Sequence, residues 1–212
     1  LSNTVVSQID IHKAYGGVVP EVAARSHIEA ILPTLDESLK TAFGGDSKSG
    51  AWDNIDAIAV TYGAGLGGAL LIGTLTANTL SLLKNKPLYG VSHVLGHVYA
   101  NMITKTELNG YTLPDRQPQF PLLALVVSGK HCHIALFTDH FAYTVLGKTH
   151  DDAIGEAFDK VAKMTGLPYP GGPSVAKAAI DGDPFAFELP TPKMESVYDT
   201  SFSGLKTAVL RK

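Results

Sequence analysis

Two histidines stand four residues apart in His93-Val-Leu-Gly-His97, just downstream of a glycine-rich segment. On a helix, positions i and i+4 share one face with Cβ atoms roughly 5–6 Å apart. Both imidazoles can then reach a single ion at about 2.0–2.1 Å. The preceding Pro87-Leu-Tyr-Gly-Val-Ser92 reads as a short strand feeding that helix, which puts the pair at a strand's carboxyl end, where open α/β sheets bind ligands. The same spacing also suits two partly buried histidines satisfied by backbone or solvent. A zinc-protease motif needs a glutamate directly after the first histidine as general base; Val94 holds that position, which argues against peptide hydrolysis by that route.

Three further stretches have the composition of ligand loops. Gly63-Ala-Gly65-Leu-Gly-Gly68 matches G-x-G-x-x-G after a strand and before a helix. A dinucleotide site also wants an acidic residue about 20 positions on, and residues 74–106 contain no Asp or Glu. Close packing of helix on strand is therefore the preferred reading of these glycines. Val126-Val127-Ser128-Gly129-Lys130 ends a buried strand in a turn whose amides and hydroxyl suit phosphate oxygens, with Lys130 able to add charge. Many hairpins also end in Ser-Gly for turn geometry alone. Asp152, Glu156 and Asp159 fall close to one helical face, either as acceptors for ribose hydroxyls or as a solvated surface. Tyr169-Pro-Gly-Gly172-Pro reads as a rigid turn against which a flat ligand can lie.

Elements that would position these residues follow from periodicity and punctuation. A helix is expected over 21–43, opened by Pro20 and closed by Gly44-Gly45, then a polar loop over 44–50. A buried strand follows over 55–61, the glycine turn, a helix over 69–83, and helix again through His97 to about Ile103. Residues 106–119 read as a linker. Beyond it come a strand over 120–128, a hairpin over 133–137 and 142–146, and a helix over 151–165. A loop over 166–173 and a helix over 174–180 precede a tail of loop, short strand and helix start. Strand, glycine turn and helix thus occur twice, near Val60 and Val127, which suggests two related α/β halves.

Composition bounds the function. At 212 residues, 45% of them apolar, the chain can bury a real core, and no run approaches the roughly 20 apolar residues of a membrane span. Its opening residues show no basic segment leading into an apolar one, so no secretory signal is expected in them. One cysteine, Cys132, excludes an internal disulfide and fits a reducing compartment. With 17 basic against 20 acidic residues and only Arg25, Arg116 and Arg211 as arginines, the chain lacks the dense basic stripe of an autonomous nucleic-acid-binding module.

These motifs, in this order, resemble one family. Tyr15-Gly-Gly-Val-Val-Pro-Glu21 with Arg25 and His27 is followed by Gly63-Ala-Gly65-Leu, His93-Val-Leu-Gly-His97 and Val127-Ser-Gly. Then come Asp152-Ala-Ile-Gly-Glu-Ala-Phe-Asp159-Lys, Tyr169-Pro-Gly-Gly-Pro173 and Ser201-Phe-Ser-Gly-Leu-Lys206. Together they resemble the TsaD family of tRNA N6-adenosine threonylcarbamoyltransferases, once taken for glycoproteases, over essentially the whole chain. The resemblance implies an α/β protein of the actin/Hsp70/sugar-kinase-like (ASKHA) architecture, two domains around a central cleft. A first lobe over 1–117 would carry the histidines and a second over 118–212 the nucleotide-contacting loops, the fold being incomplete at both ends.

The resemblance also implies an activity: transfer of a threonylcarbamoyl group from threonylcarbamoyl-AMP to N6 of adenosine 37 in tRNAs that read codons beginning with A. His93 and His97 would hold one divalent metal ion per subunit, Fe2+ or Zn2+. Val126, Val127, Ser128, Gly129 and Lys130 would line the phosphate side, and Asp159 and Gly172 the ribose and base. No residue is implied as the catalytic acid or base. Implied partners are tRNA, a paralogous ASKHA-fold protein (TsaB-like) and, in bacteria, a P-loop ATPase (TsaE-like), with no membrane. A cytoplasmic location is implied, with an organellar version left open. The noncatalytic paralogue lacks the paired histidines, and a metalloendopeptidase would want the glutamate that Val94 replaces. Against the family pattern, Lys130 and Cys132 stand where Ser-Gly-Gly-His-Thr has glycine and threonine, and Leu95 stands where bacterial members often have glutamate. The Asp that completes the family's metal site, and a nucleotide-contacting Asn, belong to a later segment outside these residues.

Overall fold

The computed structural model describes residues 2–44, 50–104 and 113–212. Most of the polar loop expected over 44–50, and much of the linker expected over 106–119, lie outside them. The chain divides into two compact units, Leu1–Arg116 and Gln117–Lys212, and both mix helix and strand.

In the first unit an extended segment leads into a short helix α1 (Ile9–Lys13) and then α2 (Pro20–Phe43). Pro at the first helical position loses no hydrogen bond that the helix could have made, and Gly44 ends it with φ at 72°. His12, the one buried polar residue among the described residues, accepts the Val19 N–H at Nδ1 (3.3 Å) and so ties the Tyr15–Gly17 turn to the start of α2. Strand β1 (Ile58–Gly63), helix α3 (Gly67–Lys84) and strand β2 (Leu88–Ser92) form a βαβ unit. The strands pair in parallel from Ile58↔Leu88 to Gly63↔Ser92, as such a crossover allows. The strand expected from Ile55 begins at Ile58, because residues 51–54 close a 3-10 turn instead.

The glycine fingerprint works here as packing. A Cβ at Gly68 would sit 2.9 Å from the Ala24 Cβ, and one at Gly65 3.1 Å from the Leu70 side chain, so α3 approaches α2 and its own entry turn only because these side chains are missing. Helix α4 (His93–Tyr99) starts where β2 stops. Ser92 caps it, its Oγ accepting the Leu95 N–H at 3.4 Å. The helix is shorter than expected, giving way to a 3-10 turn at Ala100–Met102.

The second unit opens with an antiparallel meander, β3 (Leu122–Val127), β4 (Cys132–Asp139) and β5 (Ala142–Lys148). Alternation decides its faces. Ala124, Val126, Ala135 and Phe137 are buried, whereas Leu123, Leu125 and Val127 are exposed on the opposite side of β3. Phe137 stacks on Tyr143, ring centroids 4.8 Å apart. Three helices follow: α5 (Ile154–Met164), α6 (Gly171–Ala178) and α7 (Ser203–Leu210). Three local expectations change. Asp151 and Asp152 precede α5 rather than opening it, and Gly171 to Pro173 form the first turn of α6 rather than a loop. The strand expected in the tail is an isolated bridge, Thr149↔Thr200. Among the described residues no helix is long and apolar enough to cross a membrane.

Candidate functional site

In the first unit the imidazoles converge. The Nε2 atoms of His93 and His97 lie 3.1 Å apart, with ring centroids 4.5 Å apart and planes at 67°. Both residues are exposed, at the carboxyl end of β2. Two nitrogens bound to one ion at about 2.0–2.1 Å with a near-tetrahedral angle stand roughly 3.3 Å apart. The observed separation is within a few tenths of an ångström of that, so this pair fits a metal as two of its ligands. Among the described residues no third His, Cys, Asp or Glu joins them. Catalytic zinc typically takes three protein ligands, so a metal held by this pair would need at least one more ligand from outside the described residues.

In the second unit the turn 128–131 joins β3 to β4. The Ser128 N–H donates to the His131 carbonyl oxygen (2.8 Å), and the Ser128 Oγ accepts the N–H groups of His131 (3.0 Å) and Lys130 (3.3 Å). Ser128, expected to offer donors outward, is thus engaged inside the turn. Of the four amides there, only the Gly129 N–H donates to no atom among the described residues. Lys130 is exposed, Val127 is exposed and Val126 is buried beneath the sheet.

Helix α5 abuts this corner through a residue the sequence reading passed over. The Gly155 N–H reaches the Ser128 carbonyl oxygen at 3.3 Å, and a Cβ on Gly155 would lie 2.7 Å from the Gly129 Cα. The positive end of an 11-residue helix therefore stands beside the Gly129 N–H, an arrangement that favours an anion. One helical turn further along the same face is Asp159. Its Oδ1 accepts the Gly171 N–H at 2.7 Å, which caps α6. A Cβ on Gly171 would come within 2.4 Å of the Asp159 Cα, so the helices touch backbone to backbone at this point. Burial, and then the Asp159 carboxylate, push the Tyr169 phenol above its usual range.

Gly129 and Gly172 differ from these packing glycines: a Cβ built on either meets nothing within 4 Å. The fold leaves open space over both backbones, as a ligand lying flat against them would need. The other two carboxylates of the expected ribose-binding face are occupied. Asp152 is hydrogen-bonded by Lys160 (2.5 Å) and Lys206 (2.8 Å), in that order holding it below the usual carboxylate range. Glu156 pairs with Lys160 at 2.9 Å. Asp159 is held through one oxygen only, Oδ1, among the described residues. An isolated glycine inside a helical pattern was the available sign of Gly155, since such a residue commonly marks close packing.

A family model described as TsaD, tRNA N6-adenosine threonylcarbamoyltransferase, matches residues 1–212. A Symbiobacterium thermophilum protein of that name is 50% identical over 211 residues, covering 100% of this chain and 57% of its own length. The Thermomicrobium roseum counterpart is 49% identical over 215 residues, covering 100% and 55%. That of Staphylococcus carnosus is 47% identical over 213 residues, covering 100% and 57%. The chain thus spans little more than half the length of the curated relatives it matches.

Proposed function

The chain belongs to the TsaD family, and we propose that at full family length it transfers the threonylcarbamoyl group of threonylcarbamoyl-AMP to N6 of adenosine 37 in tRNAs reading codons that begin with A. The observation that carries this reading is the convergence of His93 and His97 at 3.1 Å, since the noncatalytic paralogue lacks that pair. The ASKHA two-domain architecture, with lobes over 1–117 and 118–212, and a cytoplasmic location are part of the same proposal.

In this reading His93 and His97 hold one Fe2+ or Zn2+. When bound, that ion supplies Lewis acidity toward a carbonyl or phosphoryl oxygen. The chain's own residues supply part of the nucleotide site. The Gly129 N–H and the amino end of α5 take the phosphate and stabilise charge on the departing AMP. Asp159, one oxygen held by Gly171, accepts from the ribose hydroxyls with the other, and open Gly172 lets the base lie against the backbone. As N6 bonds to the carbamoyl carbon, the bond from that carbon to the AMP phosphate oxygen breaks. An exocyclic amine is a weak nucleophile, so holding donor and acceptor in line must lower much of the barrier. Residue 37 lies in a single-stranded loop whose bases can be splayed out for such chemistry. Mass spectrometry of tRNA nucleosides tests the proposal: threonylcarbamoyladenosine should vanish when the full-length protein is depleted and return with the wild-type gene. An unchanged level would end it.

The first unit also supports a protein partner. Helix α3 carries no charge before Lys84, yet Leu71, Leu75 and Leu82 are more than half exposed, as are Ile28 and Leu32 on α2. Between the helices runs an apolar groove of about 500 Å³. The uncharged α3, flanked by half-exposed Ile28 and Leu32 of α2, suits a paralogous TsaB-like protein, and a TsaE-like ATPase is proposed to act with it. Leu75→Asp should abolish co-elution of the full-length protein with that paralogue on size-exclusion chromatography while circular dichroism stays unchanged. Undiminished co-elution would move the partner off this face.

A further inference from the structure

Helix α7 lies far along the chain from the 128–131 turn, yet its lysine reaches the start of α5. Lys206 Nζ donates to Asp152 Oδ2 at 2.8 Å, with Lys206 25% and Asp152 13% exposed. Next to it, Asp151 accepts the Ser201 hydroxyl (2.5 Å) and the Phe202 N–H (2.8 Å) at the entry to α7. The Asp152 carbonyl oxygen accepts from the Thr149 hydroxyl at 3.0 Å. Two adjacent aspartates, by their carboxylates and the Asp152 carbonyl oxygen, thus join the residue after β5, the start of α5 and the start of α7. Gly155, whose N–H and bare Cα rest on the Ser128–Gly129 corner, follows three residues after Asp152.

We infer that Lys206 is a positioning residue for the adenylate-binding corner: through Asp152 it holds the first turn of α5 at the place where Gly155 meets Gly129. The inference rests on the reading of that corner as the phosphate site. Helix α5 has other anchors: Ala157 and Ala162 in the core and Gly171 of α6 further along it, and at its amino end the buried Ala153 and the Gly155 N–H on the Ser128 carbonyl oxygen. Without the Lys206 pair these contacts keep the helix docked, while its amino end loses its ion pair with α7 and is held less firmly in place. Its amides then move relative to the Gly129 N–H, a change that weakens an anion contact and leaves the fold in place. Lys160 also bonds Asp152 but belongs to α5 itself, so it cannot fix that helix against anything else.

In the full-length protein, Lys206→Met should raise KM for threonylcarbamoyl-AMP about five-fold while kcat changes less than about two-fold. AMP binding by calorimetry should weaken by the same factor. Lys206→Arg should restore both values, and Lys160→Met should leave both within about two-fold. Should Lys206→Met not fold, Asp151→Asn, which loosens the same junction from the α7 side, should show the same KM shift. Unaltered KM and AMP affinity in K206M or D151N, or an equal shift in K160M, would overturn the inference. A wild-type protein that makes no threonylcarbamoyladenosine would instead overturn the reading of the corner.

Discussion

Alanine at both His93 and His97 in the full-length protein is expected to abolish metal binding and lower threonylcarbamoyl transfer by at least about 100-fold. Removing a direct ligand should exceed the roughly 10–100-fold losses typical of groups one shell further out. The fold should survive, because both residues are exposed on one turn of α4 and alanine is a better helix former than histidine. Plasma mass spectrometry should find about one ion per wild-type subunit and almost none in the double variant. Melting temperatures should agree within a few degrees. Wild-type transfer by a metal-free H93A/H97A protein would remove the ion from the mechanism.

Gly171→Ala and Gly172→Ala should behave in opposite ways, although they are neighbours of the same type. At Gly171 the added methyl would lie 2.4 Å from the Asp159 Cα, 2.5 Å from the Phe158 carbonyl oxygen and 2.7 Å from the Asp159 N. All three are backbone atoms and cannot rotate aside, so α5 and α6 must separate, at a cost of about 1–3 kcal/mol. In a protein of this size that lowers Tm by roughly 2–4 °C per kcal/mol, and the Gly171 hydrogen bond that orients Asp159 is stretched with it. At Gly172 the methyl meets nothing within 4 Å, so Tm should stay within about 2 °C. AMP affinity should nevertheless fall, because the methyl takes the space assigned to the base. Differential scanning calorimetry with AMP titration separates the two. Unchanged AMP affinity in G172A would remove Gly172 from the binding surface, and an unchanged Tm in G171A would contradict the helix contact described here.

Local pattern was a good guide wherever one short stretch holds both halves of an interaction. The i, i+4 spacing of His93 and His97 was legible because helix geometry alone brings them together. The β1–α3–β2 unit and the meander from Leu122 to Lys148 follow from apolar runs bounded by glycine and turn residues. The glycines at 65 and 68 were correctly read as packing, since no acidic partner followed them. Pattern left the outcome open where a polar residue had two equivalent uses. The face of Asp152, Glu156 and Asp159 reads either as ribose acceptors or as a solvated surface, and only the fold shows Asp152 and Glu156 held by Lys160 and Lys206. The turn at 128–131 read as an outward donor set, and the fold turns Ser128 inward and leaves the Gly129 N–H.

By itself, then, the order of residues determined the family, through motifs spread along the chain, and the paired imidazoles and most helix and strand types, which depend on neighbours within a turn or two. The tertiary structure alone decided which glycines are there for packing, Gly155 and Gly171, and which face open space, Gly129 and Gly172. It also decided that a lysine 54 positions away would reach Asp152. A missing side chain looks the same in sequence whether a backbone or a ligand fills its place, and a carboxylate does not announce which distant ammonium will meet it. Only packing in three dimensions distinguishes these cases, because each depends on atoms that the chain brings close after folding.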